Sequence, residues 1–141
     1  MTCGWKFHFE NIEIDNSRSY DGNGKLRFPL LNKELKFPWP IGELVEFKNV
    51  YIVMLDNVSL RAHLERWGEK YDLYNENVFG ISKITGEMLW QIEPIAYRAN
   101  QDCPYTGIVK EGDKVAAYSW DGYKYTLEPA TGEILKEEFT K

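Results

Sequence analysis

The side chains that could do covalent or metal chemistry in this 141-residue chain are two histidines, two cysteines and a surplus of carboxylates, and their spacing argues against most of that chemistry. His8 alternates with aromatic residues in "KFHFE" and His63 stands beside Leu64. Neither has a third ligand at metal spacing, so no metal site is expected. Cys3 and Cys103 form no C-x-x-C pair and read as two thiols in a reducing compartment. There is no G-x-S-x-G, and the glycines of "DGNGK" do not link a strand to a helix in the way a phosphate cradle requires. Carboxylates abound, but a glycosidase dyad is defined by a distance that a sequence does not carry. The sequence therefore predicts no catalytic residue and no cofactor, and a binding role follows by elimination.

Aromatic side chains are the better candidates, because Tyr and Trp anchor interfaces. In "KVAAYSWDGYKY" the alternation places Ala116, Tyr118 and Trp120 on one face, with Tyr123 and Tyr125 brought back across a tight turn. Tyr118, Trp120, Asp121 and Tyr123 are the first expected partner-binding cluster. A second is the stretch Val58 to Asn75, where Glu65, Trp67, Glu69 and Asp72 combine aromatic area with charge.

Composition narrows the partner. A net charge of -5 with no basic run is unsuited to displacing counterions from nucleic acid. The N-terminal "MTCGWKFHFENIEI" has no apolar core of a signal sequence, and no window is long enough to span a bilayer, so a cytoplasmic protein without membrane contact is expected. With 43% hydrophobic and 15% aromatic residues the chain is too apolar to be disordered, and its length suits a single domain over 1–141.

The elements that must position these residues are strands. Trp5, Phe7 and Phe9 alternate with polar neighbours, while Ile12 and Ile14 fall on the opposite parity, which calls for a bulge or a strand end near Glu10 and Asn11. "KLRF" and "KELKF" follow as short strands, and "PWP" at Pro38–Pro40 closes an N-terminal segment of strands and loop over 1–39. "YTGIVK", "KVAAYSW", "YKYTLEP" and "EILKEEF" then form a four-stranded antiparallel meander over 104–141, turning at "EGD", at Asp121-Gly122 as a two-residue hairpin, and at "ATG". "IGELVEF", "VYIVML", "NVFGIS" and "EMLWQIE" repeat that order over 40–94, with Thr85-Gly86-Glu87 answering Thr131-Gly132-Glu133. The earlier copy is longer by 58–75, where Leu60, Leu64 and Trp67 at helical spacing predict a short amphipathic helix from Ser59 to Trp67. Gly132 is expected to take positive φ.

"GDKVAAYSWDGYKYTLEPATGEILKEE" resembles one blade of the PQQ-like (quinoprotein-type) β-propeller repeat, and "NVFGISKITGEMLWQI" resembles the end of another, including its closing Trp90. Lys136 stands where the second copy would carry that Trp. The resemblance implies blade-shaped sheets without implying a quinone, and two blades cannot close a ring. A mainly β fold is expected, with two blade-like sheets packed together or merged into one bent sheet, plus the helix. A looser similarity, to small bacterial toxin-immunity proteins, implies a domain that neutralises a cognate toxin by occluding its active surface. A carbohydrate or small-ligand module on the Tyr118, Trp120 and Tyr123 platform, and an adaptor subunit of a larger β assembly, are the alternatives.

Overall fold

The computed structural model describes residues 6–9, 12–16, 24–56, 75–93 and 103–140. Within them lie twelve strands: β1 (Lys6–Phe9), β2 (Ile12–Asn16), β3 (Gly24–Phe28), β4 (Lys33–Phe37), β5 (Ile41–Glu46), β6 (Val50–Leu55), β7 (Val78–Ser82), β8 (Met88–Gln91), β9 (Tyr105–Glu111), β10 (Lys114–Ser119), β11 (Tyr123–Leu127) and β12 (Ile134–Phe139). They form three antiparallel four-stranded meanders, β1 to β4, β5 to β8 and β9 to β12, each in chain order.

The architecture corrects the expectation of two sheets, because the N-terminal strands build a blade of their own. The parity change between Phe9 and Ile12 is a chain reversal: β1 and β2 pair antiparallel, with Phe7 opposite Ile14 and Phe9 opposite Ile12. Of the two expected causes, the strand end is the one observed. The helix expected from Ser59 to Trp67 falls outside the described residues, among which the one helical element is a 3-10 turn at Pro29–Leu31.

The three sheets stack with the second in the middle. Every residue of β6 is buried, and the pleat sends Tyr51, Val53 and Leu55 towards the first sheet and Val50, Ile52 and Met54 towards the third. The first interface also takes Ile12, Ile14, Leu26 and Phe28 from the first sheet. The second takes Ile108, Val115, Tyr125 and Leu127 from the third. Burial on both sides explains why β6 and β7 read as unbroken apolar runs, "VYIVML" and "VFGIS", whereas β2 and β3 alternate.

Two buried asparagines stitch the stack. Asn16 donates from Nδ2 to the Ile41 carbonyl (3.0 Å) and accepts the Ile41 amide at Oδ1 (2.9 Å), joining the end of β2 to the start of β5. Asn77 repeats the arrangement: Nδ2 donates to the carbonyls of Leu55 (2.8 Å) and Tyr105 (2.9 Å), and Oδ1 accepts the Tyr105 amide (2.9 Å). Each amide thus does for the first residue of the next sheet what a strand neighbour would do.

Trp90 is the other link between the second and third sheets. Its ring lies between Gly80 of its own sheet and Gly132 of the next, where an added Cβ would come within 2.2 Å and 2.4 Å of it. Its Nε1 donates to the Pro129 carbonyl at 2.8 Å, so the one polar atom of the ring is satisfied at the buried end. The turn that receives it follows from Thr-Gly-Glu chemistry. Gly132 has φ of 74°, as expected, its amide bonds the Glu128 carbonyl (2.7 Å), and Thr131 Oγ1 accepts the Glu133 amide (3.2 Å). Gly86 (φ 72°) and Thr85 reproduce that geometry in the second sheet. In the first sheet Asn32 takes the same left-handed place before β4, with φ of 52°.

Two outcomes are expected. Gly132→Val, which needs both a strained backbone and a displaced Trp90, should destabilise the fold by more than about 2 kcal/mol in denaturant melts. Asn77→Ala leaves three buried backbone groups unpaired and should cost about 2–4 kcal/mol, whereas the exposed Lys136→Ala should stay within about 0.5 kcal/mol.

Candidate functional site

The third sheet carries a hairpin held by several hydrogen bonds. The β10–β11 connection holds three residues, Trp120, Asp121 and Gly122, rather than the two expected. The Gly122 amide bonds the Ser119 carbonyl (3.1 Å), and Gly122 at φ 93° is the left-handed residue, whereas Asp121 is not. This is the tight turn plus left-handed glycine that suits a three-residue loop. Ser119 Oγ donates to the Asp121 carboxylate and accepts the Tyr123 amide (3.2 Å). From outside the hairpin, the Trp120 amide bonds the Pro104 carbonyl (2.9 Å), and Thr140 donates to the Gly122 carbonyl from both its amide (2.9 Å) and Oγ1 (2.7 Å).

On this pinned turn the Trp120 side chain is 54% exposed. Phe139, 60% exposed, lies opposite Tyr123 with ring centroids 5.0 Å apart and planes tilted by 55°. Tyr123 in turn packs towards the buried Tyr125 at 6.4 Å. An aromatic row therefore runs out of the core and emerges at this end of the sheet. Phe139 was missed by sequence reasoning; the signal available was its place at the end of the last strand, which antiparallel pairing sets opposite Tyr123.

The expected ladder of Tyr118, Trp120 and Tyr123 is not assembled. Tyr118 pairs with Lys124 and Ala117 with Tyr125, so Tyr118 belongs to the outer face while Tyr123 and Tyr125 belong to the face turned to the second sheet. The longer turn reversed the parity on which the ladder depended. Asp121 serves the turn itself by accepting from Ser119. Glu65, Trp67, Glu69 and Asp72 lie outside the described residues.

Each outer sheet carries ion pairs among its own side chains. Lys124 bonds Glu111 at 3.0 Å and lies 3.9 Å from Glu138, which Lys136 also meets at 2.6 Å. On the first sheet Arg27 bridges Asp15 (2.9 Å) and Glu34 (2.8 Å), and the hydrogen bond from Arg27 holds the Glu34 carboxyl below its ordinary range. Glu43 of β5 behaves oppositely. It reaches Gly107 and Ile108 of β9, and burial pushes its carboxyl up, partly offset by the Ile108 backbone hydrogen bond. Among the described residues no three His, Cys, Asp or Glu side chains gather as a metal site, and no helix is long and apolar enough to cross a membrane.

With this geometry in view, the chain can be set beside known proteins. A family described as Domain of unknown function (DUF7957) matches residues 19–139. No curated protein matches. Among solved structures the chain is similar to the computationally designed Ika4 protein, at 14% identity and TM-score 0.60 over 100% of this chain and 76% of that one. It is similar to the computationally designed Ika8 protein at 14% identity and TM-score 0.59, over 96% and 36%. BamB from Moraxella catarrhalis, a PQQ-like β-propeller protein, matches at 16% identity and TM-score 0.58, over 98% and 34%. At these identities the likeness is one of fold, and the chain spans about a third of the length of Ika8 and BamB.

The Glu43 environment sets a pH dependence. A carboxyl whose folded pKa is raised holds its proton more tightly in the folded chain, so its penalty is absent below the unfolded value and grows as pH rises through the shifted one. Glu43→Gln should therefore raise the melting temperature relative to the parent at about pH 7 and do so less at about pH 4. An identical difference at both values would show that burial does not set this carboxyl.

Proposed function

The chain belongs to the DUF7957 family, whose description assigns no activity, and we propose that it is a protein-binding domain that engages its partner through the Trp120 end of the third sheet. The observation that carries this reading is a large exposed indole on a turn fixed by hydrogen bonds from Thr140 and to Pro104. An anchor already held in its bound geometry avoids much of the ordering cost of association, and Trp supplies more contact area than other side chains. Phe139 and Tyr123 add a second aromatic pair at the same end of the third sheet.

The partner class that the sequence favours is a toxin, neutralised when this cytoplasmic domain covers its active surface, with the acidic chain steering encounter. The carbohydrate alternative is weakened by the register. Tyr118 and Tyr123 are on opposite faces, and the Tyr123 and Phe139 rings are tilted, so these residues do not make one flat platform for a sugar ring.

The test is coexpression with the product of the neighbouring gene, followed by growth rescue and a binding measurement. The parent should rescue and bind, and Trp120→Ala, melting like the parent, should weaken binding by about tenfold or more, mainly through faster dissociation. Undiminished binding by Trp120→Ala would remove this surface, and failure of the parent to rescue would remove the immunity role.

A further inference from the structure

The two flanks of the Trp120 hairpin are held in unlike ways. On the β9 side the tie is buried. The Trp120 amide bonds the carbonyl of Pro104, a buried residue, and the next residue, Tyr105, is fastened to Asn77 through both its amide and its carbonyl. On the β12 side the tie is exposed. Thr140 and its neighbour Phe139 both face water, and Thr140 reaches the Gly122 carbonyl from its amide (2.9 Å) and from Oγ1 (2.7 Å).

Gly122 explains what the hydroxyl contributes. Tyr123 pairs with Phe139, so the next pair outward is Gly122 with Thr140, where a regular ladder exchanges two backbone bonds. The Gly122 amide is turned instead to the Ser119 carbonyl (3.1 Å) to close the turn, which removes one of those two bonds. The Thr140 hydroxyl supplies a second donor in its place and fills the remaining lone pair of the Gly122 carbonyl. A residue without a hydroxyl at this position leaves that carbonyl with the Thr140 amide bond alone.

We infer that Thr140 is a positioning residue for Trp120, a latch on the outer flank of a hairpin hinged at Pro104. With the latch made, the turn belongs to the sheet and the indole is presented in one place. With it released, Asp121 and Gly122 move about the tie between Trp120 and Pro104. The use of this latch in binding rests on the proposed function, whereas the latch itself does not. Coupling between two sites is reciprocal, so a partner that grips Trp120 in its latched place also tightens Thr140.

Nitrogen relaxation of the whole chain tests it, with the Trp120 indole signal assigned by its loss in Trp120→Phe. Thr140→Val keeps the branched shape and the backbone bond but removes the donor. In the parent the Asp121 and Gly122 amides should have order parameters near about 0.85, and in Thr140→Val they should fall towards about 0.6, with the indole following them. The Trp120 amide, tied to Pro104, should stay near about 0.85 in both. Thr140→Ser, which restores the donor, should behave as the parent, and so should Thr131→Val, which removes a hydroxyl from the turn at the other end of β11. Where the parent binds the product of the neighbouring gene, Thr140→Val should dissociate about threefold faster and Thr140→Ser at the parent's rate. Turn amides as ordered in Thr140→Val as in the parent, or as mobile in Thr140→Ser as in Thr140→Val, would overturn the latch. Mobility gained without faster dissociation would overturn its role in binding, and a parent that binds nothing would remove the proposed partner while the relaxation data still decide the latch.

Discussion

The whole molecule depends on the burial of the central sheet on both faces. β6 and β7 expose none of their residues, so neither strand has a polar side to turn to water, and the second sheet requires the first and the third together. Fully burying each large aliphatic or aromatic side chain is worth about 1.5–3 kcal/mol, and β6 supplies six buried apolar residues split between two interfaces. The outer sheets have the complementary design. Each packs one apolar face inward and turns outward a face of paired charges, Arg27 with Asp15 and Glu34 at one end and Lys124 with Glu111 and Glu138 at the other. Such exposed pairs add little stability, but they suit faces that end a stack and face solvent.

Much of this was legible in the sequence. All eight strands after Pro40 lie where alternation and turn residues placed them, and Gly132 has the φ that its turn required. The first sheet was not recognised as a third copy because its left-handed position is Asn32 in "PLLNKEL", without the Thr and Glu that mark the turns at Gly86 and Gly132. Asn can occupy that conformation, so the geometry survives a change that erases the signature. Asn16 and Asn77 were illegible for another reason. A polar residue at the edge of a strand looks like a turn residue until the backbone it holds, far along the chain, has been placed.

The site was legible in type more than in arrangement. Whether Trp120 would be core or surface was not legible, and it is exposed; one additional turn residue sent Tyr118 to the opposite face and left Phe139 opposite Tyr123. Parity arguments are exact along a strand and fail at any loop whose length is miscounted by one. Tertiary pairing, through Thr140 to Gly122, then decides how firmly the surviving residue is held.

The asparagine contacts also impose a direction on assembly. Asn16 is made long before Ile41, and Asn77 before Tyr105, so on a ribosome each amide emerges before the backbone it will hold. Trp90 similarly precedes the Pro129 carbonyl that its indole requires. A nascent first sheet is therefore left with an open amide that the next stretch of chain closes, and the second sheet repeats the step for the third. Synthesis from the N-terminus delivers the fastening and its receiver in the order in which they can be used, and a circular permutation that began the chain at β9 would reverse that order for Asn77 and Trp90 while keeping it for Asn16.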